Sequence, residues 1–286
     1  MKLIALTAVA MVAFAANSVL NRMAVGAGLM DPVGFAVVRL MAGALMLALV
    51  LALRGARGGA LWAGWHGRGA GVAGLLVYLF GFSLAYLSLD AGVGALILFG
   101  AVQVTMFAGA VLAREAVPRQ RWLGAGLAFL GLVVLMAPGS AAVPSVLAGG
   151  AMAVAGVGWG IYSLAGRGAR DALGATAWNF VLAVPVAVGV ALVLGADHLV
   201  ITPGGLWLAV VSGAVTSGLG YALWYGVVPQ LGAARAGVAQ LTVPLIAAAG
   251  GALLIGEGVS LRFAVAAVLV LGGVALASLQ SGFFRR

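Results

Sequence analysis

Amide, hydroxyl and aromatic side chains recur inside long apolar stretches of this sequence, and they are the groups able to recognise a small molecule. Asn17 and Asn21 are four residues apart, so a helix would place both amides on one face. Tyr78, Phe82 and Tyr86 keep the same spacing and would form an aromatic stripe. Amides and hydroxyls form hydrogen bonds and rings stack, which suits a small amphipathic ligand. Both patterns are also typical of helix packing, and that interpretation stays open.

The composition places the chain in a membrane. Of its 286 residues, 64% are hydrophobic and 7% are charged, and the mean hydropathy is +1.21. Soluble domains carry roughly 25% charged residues, and so few charges would leave a soluble surface open to association. Cysteine is absent, which excludes disulfides and Cys-based metal sites. The net charge of +9 is scattered over short loops, so it indicates membrane topology and not nucleic-acid binding.

Ten apolar stretches have about the length that a helix needs to cross a bilayer. For the first stretch a cleaved signal peptide is an alternative, because Ala13-Phe14-Ala15 resembles a cleavage site. Asp31 and Pro32 form a strong start signal for the second helix. The predicted helices cover about 3–25, 32–53, 71–87, 91–112, a fifth stretch ending near 136, then 146–165, 173–194, 205–227, 233–255 and 261–279.

Two segments of the chain align without a gap. Residues 89–117 and 231–259 share seven of 29 positions, including Glu115 and Glu257, the two glutamates of the chain. Chance would give roughly three matches in so repetitive a composition, so the paired glutamates carry more weight than the count. We predict two similar five-helix repeats, 1–138 and 145–286, within one membrane domain. A chance match of Gly- and Ala-rich helices is the alternative.

Basic residues are distributed unevenly between the predicted loops. Alternate loops hold 12 of the 15 Lys and Arg residues. Cytoplasmic loops are enriched in these residues, so both termini are predicted to lie in the cytoplasm, with the protein in the inner (plasma) membrane. Five spans per half then force the halves to point in opposite directions. The predicted fold class is an all-α polytopic membrane protein with ten transmembrane helices arranged as two inverted five-helix repeats.

The motifs of the two halves resemble a known family. The two five-helix halves, the endings Leu112-x-x-Glu115 and Leu254-x-x-Glu257, and the Val243-Pro244 step resemble the EamA-type branch of the drug/metabolite transporter superfamily. The resemblance covers essentially the whole chain and is greatest to the aromatic-amino-acid exporter group. It implies a central cavity formed by helices 1, 3, 4, 6, 8 and 9. The chain departs from symmetry at Val102, which stands where the second half has Pro244.

The predicted substrate-binding residues are polar or aromatic and lie at mid-membrane depth in those six helices, where polar groups are costly unless they face a cavity or a partner. Helices 5 and 10 lack such groups and are predicted to be peripheral. The candidates are Asn17, Asn21, Tyr78, Phe82, Ser83, Phe99, Gln103, Trp159, Tyr162, Ser163, Ser217, Tyr221, Trp224 and Gln240.

Four further residues are predicted to act as hinges or gates. Pro244 would free a backbone carbonyl near Gln240 inside the predicted ninth helix. Gly109 and Gly251 would give helices 4 and 9 faces that can slide. Arg39 lies about 12 Å inside the second helix, where it would either pair with Asp31 or Asp90 as a gate or have a structural role. Glu115 and Glu257 abut helix ends and are predicted to cap or pair loops.

These observations favour a secondary transporter. Inverted halves can enclose one midplane site and open it to either side in turn. We predict alternating-access export of amino acids or similar small amphipathic metabolites, by a protein with no cofactor, no metal and no nucleic-acid partner, in the lipid bilayer and as a monomer. A broad small-molecule or drug exporter of the same fold is the alternative. A polytopic enzyme is disfavoured because His66 and His198 fall in loops predicted on opposite sides and no Walker motif exists. A channel is the third interpretation.

Overall fold

The computed structural model describes residues 2–55, 67–115, 117–137, 145–167, 169–194, 200–231, 236 and 239–278. These residues form helices and no β-strand, which confirms the all-α prediction. The helices are α1 Lys2–Gly26, α2 Pro32–Leu53, α3 Arg68–Ala85, α4 Ala91–Leu112, α5 Arg119–Met136, α6 Val146–Ala165, α7 Ala172–Leu194, α8 Pro203–Leu231, α9 Thr242–Ile255 and α10 Leu261–Ser278. The end of α1, Arg22–Gly26, and the middle of α8, Ser212–Leu219, are π-helical.

Seven of the described helices are long and apolar enough to cross a membrane, and α9 and α10 are shorter apolar helices. Helix α5 is outside both groups, and its first turn carries Arg119 and Arg121. Large apolar side chains such as Leu45 and Trp207 are exposed on the outside of the bundle, as expected of a surface that faces lipid. The chain is an all-helical polytopic membrane protein. The count of ten spans and the inverted halves remain predictions.

Side-chain caps explain where several helices begin. At α2, the Asp31 carboxylate accepts a hydrogen bond from the Gly34 N–H at 2.7 Å, which confirms the predicted Asp-Pro start. Each such cap satisfies a backbone N–H that has no partner within the first helical turn. The equivalent caps at α6, α7, α8 and α10 are formed by Ser145, Asp171, Thr202 and Ser260.

Glycines bring α3 and α6 into backbone contact. A Cβ atom at Gly74 would lie 2.6 Å from the Gly158 carbonyl oxygen, and one at Gly158 would lie 2.7 Å from the Gly74 carbonyl oxygen. A Cβ at Gly213 on α8 would likewise collide with the Arg39 backbone of α2. Small residues are the usual means of close helix approach in lipid, where apolar burial gives no driving force between helices. These contacts hold α3, α6, α2 and α8 around one shared centre.

Helix–helix contacts follow a regular pattern along the chain. Helix α3 packs on α6 and α8 on α1; α4 packs on α6 and α9 on α1; α2 packs on α8 and α7 on α3. Three further pairs, α2 with α7, α4 with α9 and α5 with α10, also join the two predicted halves. Each contact in this set has its counterpart when helix n is exchanged with helix n+5. Helix α5 contacts α10 and α4, which agrees with its predicted peripheral position.

Two helices in the second half differ from the prediction. Helix α9 begins at Thr242, with Pro244 in its first turn, and a turn at Leu241 separates it from the helical residues Ala239 and Gln240. The start predicted near Ala233 lies outside the described residues. Proline removes an N–H and its ring opposes the carbonyl four residues earlier, so a continuous helix through Gln240 is disfavoured. Helix α8 runs through Pro229 to Leu231 instead of ending before it. The predicted linker at 138–144 and both histidines lie outside the described residues.

Candidate functional site

Aromatic side chains from α1, α3, α6 and α8 meet inside the bundle, with Trp159 at their centre. The Trp159 ring lies 4.9 Å from Tyr78, 5.0 Å from Tyr162 and 5.5 Å from Tyr221, measured between ring centroids. The plane of the Trp159 ring makes an angle of 19° with the Tyr162 ring and of 19° with the Tyr221 ring, so the three rings stack. Trp159 is partly exposed, whereas the three tyrosines are buried. We call seven of the connected rings the aromatic cluster: Phe14, Tyr78, Phe82, Trp159, Tyr162, Tyr221 and Trp224. Tyr86 and Phe180 contact its edge through Phe82 and Tyr221.

A buried amide joins α1 to the π-helical part of α8. The Asn17 Oδ1 atom accepts hydrogen bonds from the hydroxyls of Ser212 at 2.8 Å, Thr216 at 2.6 Å and Ser217 at 3.3 Å. All four side chains are buried. Asn17 and Ser217 were both predicted site residues. π-Helical segments are frequent at functional sites, and here the segment aims three hydroxyls at one amide.

A second amide joins α1 to α3. Asn21 donates a hydrogen bond from Nδ2 to the Ser83 hydroxyl at 3.0 Å, and both side chains are fully buried. The Asn21 Oδ1 atom is buried without a hydrogen-bond partner in the described part of the chain. Such a group is costly in a packed interior and marks a place where a ligand or water would be bound.

Arg39 reaches the aromatic cluster from α2. Its side chain is 0% exposed. Nη2 donates to the Tyr78 hydroxyl at 2.8 Å, and Nε donates to the Ser217 hydroxyl at 3.2 Å. The guanidinium carbon lies 4.9 Å from the centre of the Phe82 ring, within cation–π range. Arg39 therefore joins α2 to Tyr78 and Phe82 of the aromatic cluster and to Ser217 of α8.

The predicted pairing of Arg39 with Asp31 or Asp90 is wrong. Asp31 caps α2, and the Asp90 carboxylate lies 3.9 Å from the Arg22 guanidinium. Arg39 makes no ion pair with any residue that the structure describes. Helix geometry explains the difference, because Arg39 is about 12 Å along α2 from the Asp31 cap and its side chain points into the bundle.

Four of the predicted site residues take part neither in the aromatic cluster nor in the hydrogen bonds of Asn17, Asn21 and Arg39. The Ser163 hydroxyl donates to the Trp159 backbone carbonyl one turn earlier, as Ser commonly does inside helices. Phe99 packs against the hydrophobic core near the cluster. Gln103 and Gln240 are half-buried, and neither joins the hydrogen bonds or ring contacts of the described residues.

The prediction also missed residues that the structure brings to the site. Phe14 contacts Tyr221 at 5.6 Å and Trp224 at 5.8 Å. It lies three residues before Asn17 and seven before Asn21, so its helical face was a usable signal. Ser212 and Thr216 were missed as well, although with Ser217 they form a small polar group in an apolar helix.

One end of α4 is closed by a group of charges around Glu257, which follows α9. Its Oε1 atom accepts a hydrogen bond from Arg22 Nε at 3.1 Å, and its Oε2 atom accepts one from the Ala91 backbone N–H at 2.8 Å. Arg22 also donates to the backbone carbonyls of Tyr86 and Leu87 at 3.3 Å. Burial raises the pKa of the Glu257 carboxyl, reinforced by nearby Asp90 and opposed by the Ala91 N–H and Arg22.

The other end of α4 carries a second ion pair. Arg167, which follows α6, donates to Glu115 at 3.2 Å, and both side chains are exposed. Glu257 bonds the first residue of α4 and Glu115 follows its last turn, so the pairs are separated by about the 33 Å length of a 22-residue helix. The predicted pairing role of both glutamates at helix ends is confirmed.

The aromatic cluster lies about midway between these two ion pairs. On α3, Tyr78 is eight residues from Tyr86, a separation of about 12 Å along the helix. The Tyr86 carbonyl accepts the hydrogen bond from Arg22. On the side of α6, Trp159 precedes Arg167 by eight residues, again about 12 Å. The arrangement is a ring-lined centre with a charged closure at each end.

No group of three or more His, Cys, Asp or Glu side chains that could hold a metal ion occurs among the described residues. The polar groups at the centre are neutral amides and hydroxyls together with one guanidinium. What they can do chemically is bind and orient a small molecule through hydrogen bonds, charge and ring stacking.

Comparison with known proteins gives three findings. Residues 147–279 match the EamA-like transporter family. The uncharacterized protein PA1977 of Pseudomonas aeruginosa is 46% identical over 275 residues, which are 95% of this chain and 92% of that protein. A protein of known crystal structure shares the fold with a TM-score of 0.67, at 20% identity and with 99% of each chain covered. The chain therefore belongs to one family with PA1977 along nearly its whole length, and within it residues 147–279 match the EamA-like transporter family.

Proposed function

We propose that this protein is a secondary transporter that exports amino acids or similar small amphipathic metabolites by alternating access. The observation that carries the proposal is the placement of the aromatic cluster between the Arg22–Glu257 and Arg167–Glu115 ion pairs. A carrier needs a central site and a closure on each side that opens in turn. Ion pairs at helix ends are suited to this task, because water replaces their partners at little cost when an end opens.

The centre of the bundle matches a small solute with one apolar and one polar part. The stacked rings of Trp159, Tyr162 and Tyr221 offer apolar faces. The Asn17, Asn21 and Arg39 side chains supply acceptors and donors within the same bundle. Sites for small molecules are usually mostly apolar, with a few placed polar groups that orient the ligand.

The two ion pairs also support the inverted-repeat hypothesis. Each joins a glutamate after the fourth helix of one predicted half to an arginine at the end of the first helix of the other half. A pseudo-twofold axis in the membrane plane would generate this reciprocity and place the pairs on opposite faces. We expect Glu115 to face the cytoplasm and Glu257 the outside, in an inner membrane with both termini cytoplasmic.

Cysteine labelling tests this orientation, since the chain has no native cysteine. Gly258→Cys, beside the Arg22–Glu257 pair and with open space around its Cβ position, should react with an impermeant maleimide in intact cells. Arg54→Cys, at the end of α2, should react only after the membrane is permeabilised. The reverse pattern would overturn the orientation.

Transport itself is tested with purified protein in liposomes. Radiolabelled phenylalanine and other amphipathic amino acids should cross faster than in protein-free liposomes, with saturable kinetics, and without ATP. Flux that keeps rising linearly with solute concentration, without saturation, would favour a channel. Absence of flux for every amphipathic solute, with correctly inserted protein, would remove the proposed function.

A further inference from the structure

Arg39 carries a positive charge that no acidic residue of the described chain neutralises. Its side chain is fully buried, and arginine stays protonated at every physiological pH. A buried charge without a counter-charge is costly, and inside membranes such residues mark functional sites. No described residue therefore supplies a counter-ion for Arg39.

The acidic residues of the described chain are committed elsewhere. Two of them cap helices and three belong to the ion pairs at the ends of α4. Asp31 and Asp171 cap α2 and α7, Glu115 pairs with Arg167, and Asp90 and Glu257 contact Arg22. Asp197 lies outside the described residues, in the segment that follows α7.

The guanidinium of Arg39 is hydrogen-bonded through two of its three nitrogen atoms, and the third has no partner among the described residues. Tyr78 binds Nη2 and Ser217 binds Nε, both through neutral hydroxyls. Ser217 is itself fixed, because it donates to Asn17. The Nη1 atom is buried and has no hydrogen-bond partner among the described residues. A fork of N–H donors in this arrangement matches the two oxygens of a carboxylate.

The Arg39 guanidinium lies beside the aromatic cluster, 5.3 Å from the centre of the Tyr78 ring and 4.9 Å from that of Phe82. The Tyr78 side chain binds Arg39 through its hydroxyl, and its ring contacts Trp159 at 4.9 Å. A carboxylate at Arg39 would therefore bring an attached apolar group to the Trp159 stack. The Asn21 amide donates from Nδ2 to Ser83, the neighbour of Phe82, and its Oδ1 atom is a buried acceptor without a partner among the described residues. This oxygen would suit an N–H donor of the same solute.

We infer that Arg39 binds the carboxylate of the transported solute, so that substrates are small amphipathic carboxylates whose apolar part packs on the aromatic cluster. The inference rests on the proposed transport function and adds to it the class of substrate. It explains why α2 buries an arginine at this depth, and why its two hydrogen-bond partners are hydroxyls instead of acids.

Binding calorimetry on the purified protein tests the inference with three ligands: phenylalanine, 3-phenylpropionate and phenylalaninamide. The first two carry a carboxylate, and the third lacks it. We expect the amide to bind at least about tenfold more weakly than phenylalanine, and Arg39→Gln to abolish that difference. Arg68→Gln is the matched control, since Arg68 is also buried but binds the Ala175 carbonyl and Asn179.

The unfolding temperature of an Arg39 variant is a second readout. It should fall if Arg39 has only a structural role, and it should not fall if Arg39 is a ligand-binding charge. Arg39→Met removes the unneutralised charge, so the ligand-free variant should unfold at the same temperature as the parent or higher. A strong loss of stability would assign Arg39 to packing. Equal binding of the amide and the acid by the parent, an unchanged preference in Arg39→Gln, or no binding of all three ligands would overturn the inference.

The transport assay separates this inference from the proposed function. Flux of phenylalaninamide equal to that of phenylalanine, unaffected by Arg39→Gln, would leave a transporter but remove the carboxylate site. Carboxylate-dependent binding without flux of any ligand would leave the site but remove the transport function.

Discussion

Arg22 and Glu257 are 235 residues apart in sequence and form a hydrogen-bonded ion pair at 3.1 Å. The pair ties the end of α1 to the residues that follow α9, and Glu257 extends it to the start of α4 through the Ala91 N–H. Its counterpart, Arg167 with Glu115, is more exposed and lacks these extra bonds. The described structure is thus closed more firmly at the Arg22–Glu257 end.

Removal of the Glu257 side chain should open that end. Ser83 is buried one turn inside the Arg22–Glu257 pair, so a thiol there reports whether water reaches the site. We expect Glu257→Ala to raise maleimide labelling of Ser83→Cys about fivefold, because about 1 kcal/mol of bonding to Arg22 and to the Ala91 N–H is lost. The matched change is Glu115→Ala with Thr176→Cys, which should alter labelling less than about twofold since that pair is exposed. Equal effects at both ends would contradict the assigned asymmetry.

The raised pKa of Glu257 predicts how this end responds to pH. When the end opens, the carboxyl becomes hydrated and its pKa returns to the ordinary value of about 4.3. The closed form, with the higher pKa, binds the proton more tightly, so lowering the pH through the raised pKa favours closure. Labelling of Ser83→Cys relative to a Glu257→Gln background should therefore fall on acidification. A relative increase would show that protonation breaks the closure instead.

Gly158 tests the contact between α3 and α6. An alanine there would place its Cβ atom 2.7 Å from the Gly74 carbonyl oxygen, so the helices must move apart. We expect Gly158→Ala to cost about 1–3 kcal/mol of stability, measured as thermal unfolding in detergent. Gly150→Ala on the same helix meets no atom within 4 Å and should be neutral or stabilising by about 0.5–1 kcal/mol. Similar unfolding temperatures for the two variants would refute the close contact.

Trp159 tests the aromatic cluster as a binding surface. Trp159→Ala removes the ring between Tyr162 and Tyr221, and we expect the transport KM to rise about tenfold, from lost ring contacts worth about 0.5–1.5 kcal/mol each. Folded yield should change little, and Trp159→Phe should retain part of the affinity. Trp207, exposed on the outside of α8, is the control, and Trp207→Ala should transport normally. Normal transport by Trp159→Ala would reduce the cluster to packing.

The sequence predicted the helices well because apolar run length and cap residues are local signals. Asp31 and Pro32 marked the start of α2 correctly. The helix predicted over 233–255, with Pro244 inside it, is interrupted by a turn at Leu241, as the proline three residues later favours. An apolar run alone cannot distinguish one long span from two helical segments that meet just before a proline.

The candidate site was predicted in part, and the reason is the distance in sequence between its contacts. Helical spacing predicted Asn17 and Tyr78, which lie on faces that recur every turn, and mid-membrane depth predicted Tyr221. The partner of Arg39 is Ser217, 178 residues away, and no local pattern indicates such a contact. Arg39 was therefore predicted either to pair with Asp31 or Asp90 as a gate or to have a structural role, whereas Arg22, close to a helix end, forms the ion pair with Glu257.

Countertransport in liposomes measures alternating access most directly. Liposomes loaded with unlabelled phenylalanine are diluted into a trace of labelled phenylalanine, and the internal label is followed over time. A carrier whose central site opens to one side at a time should exchange solute and concentrate the label transiently above its external level. Label that never exceeds the external level, while flux by the same protein persists, would contradict alternating access and indicate a channel.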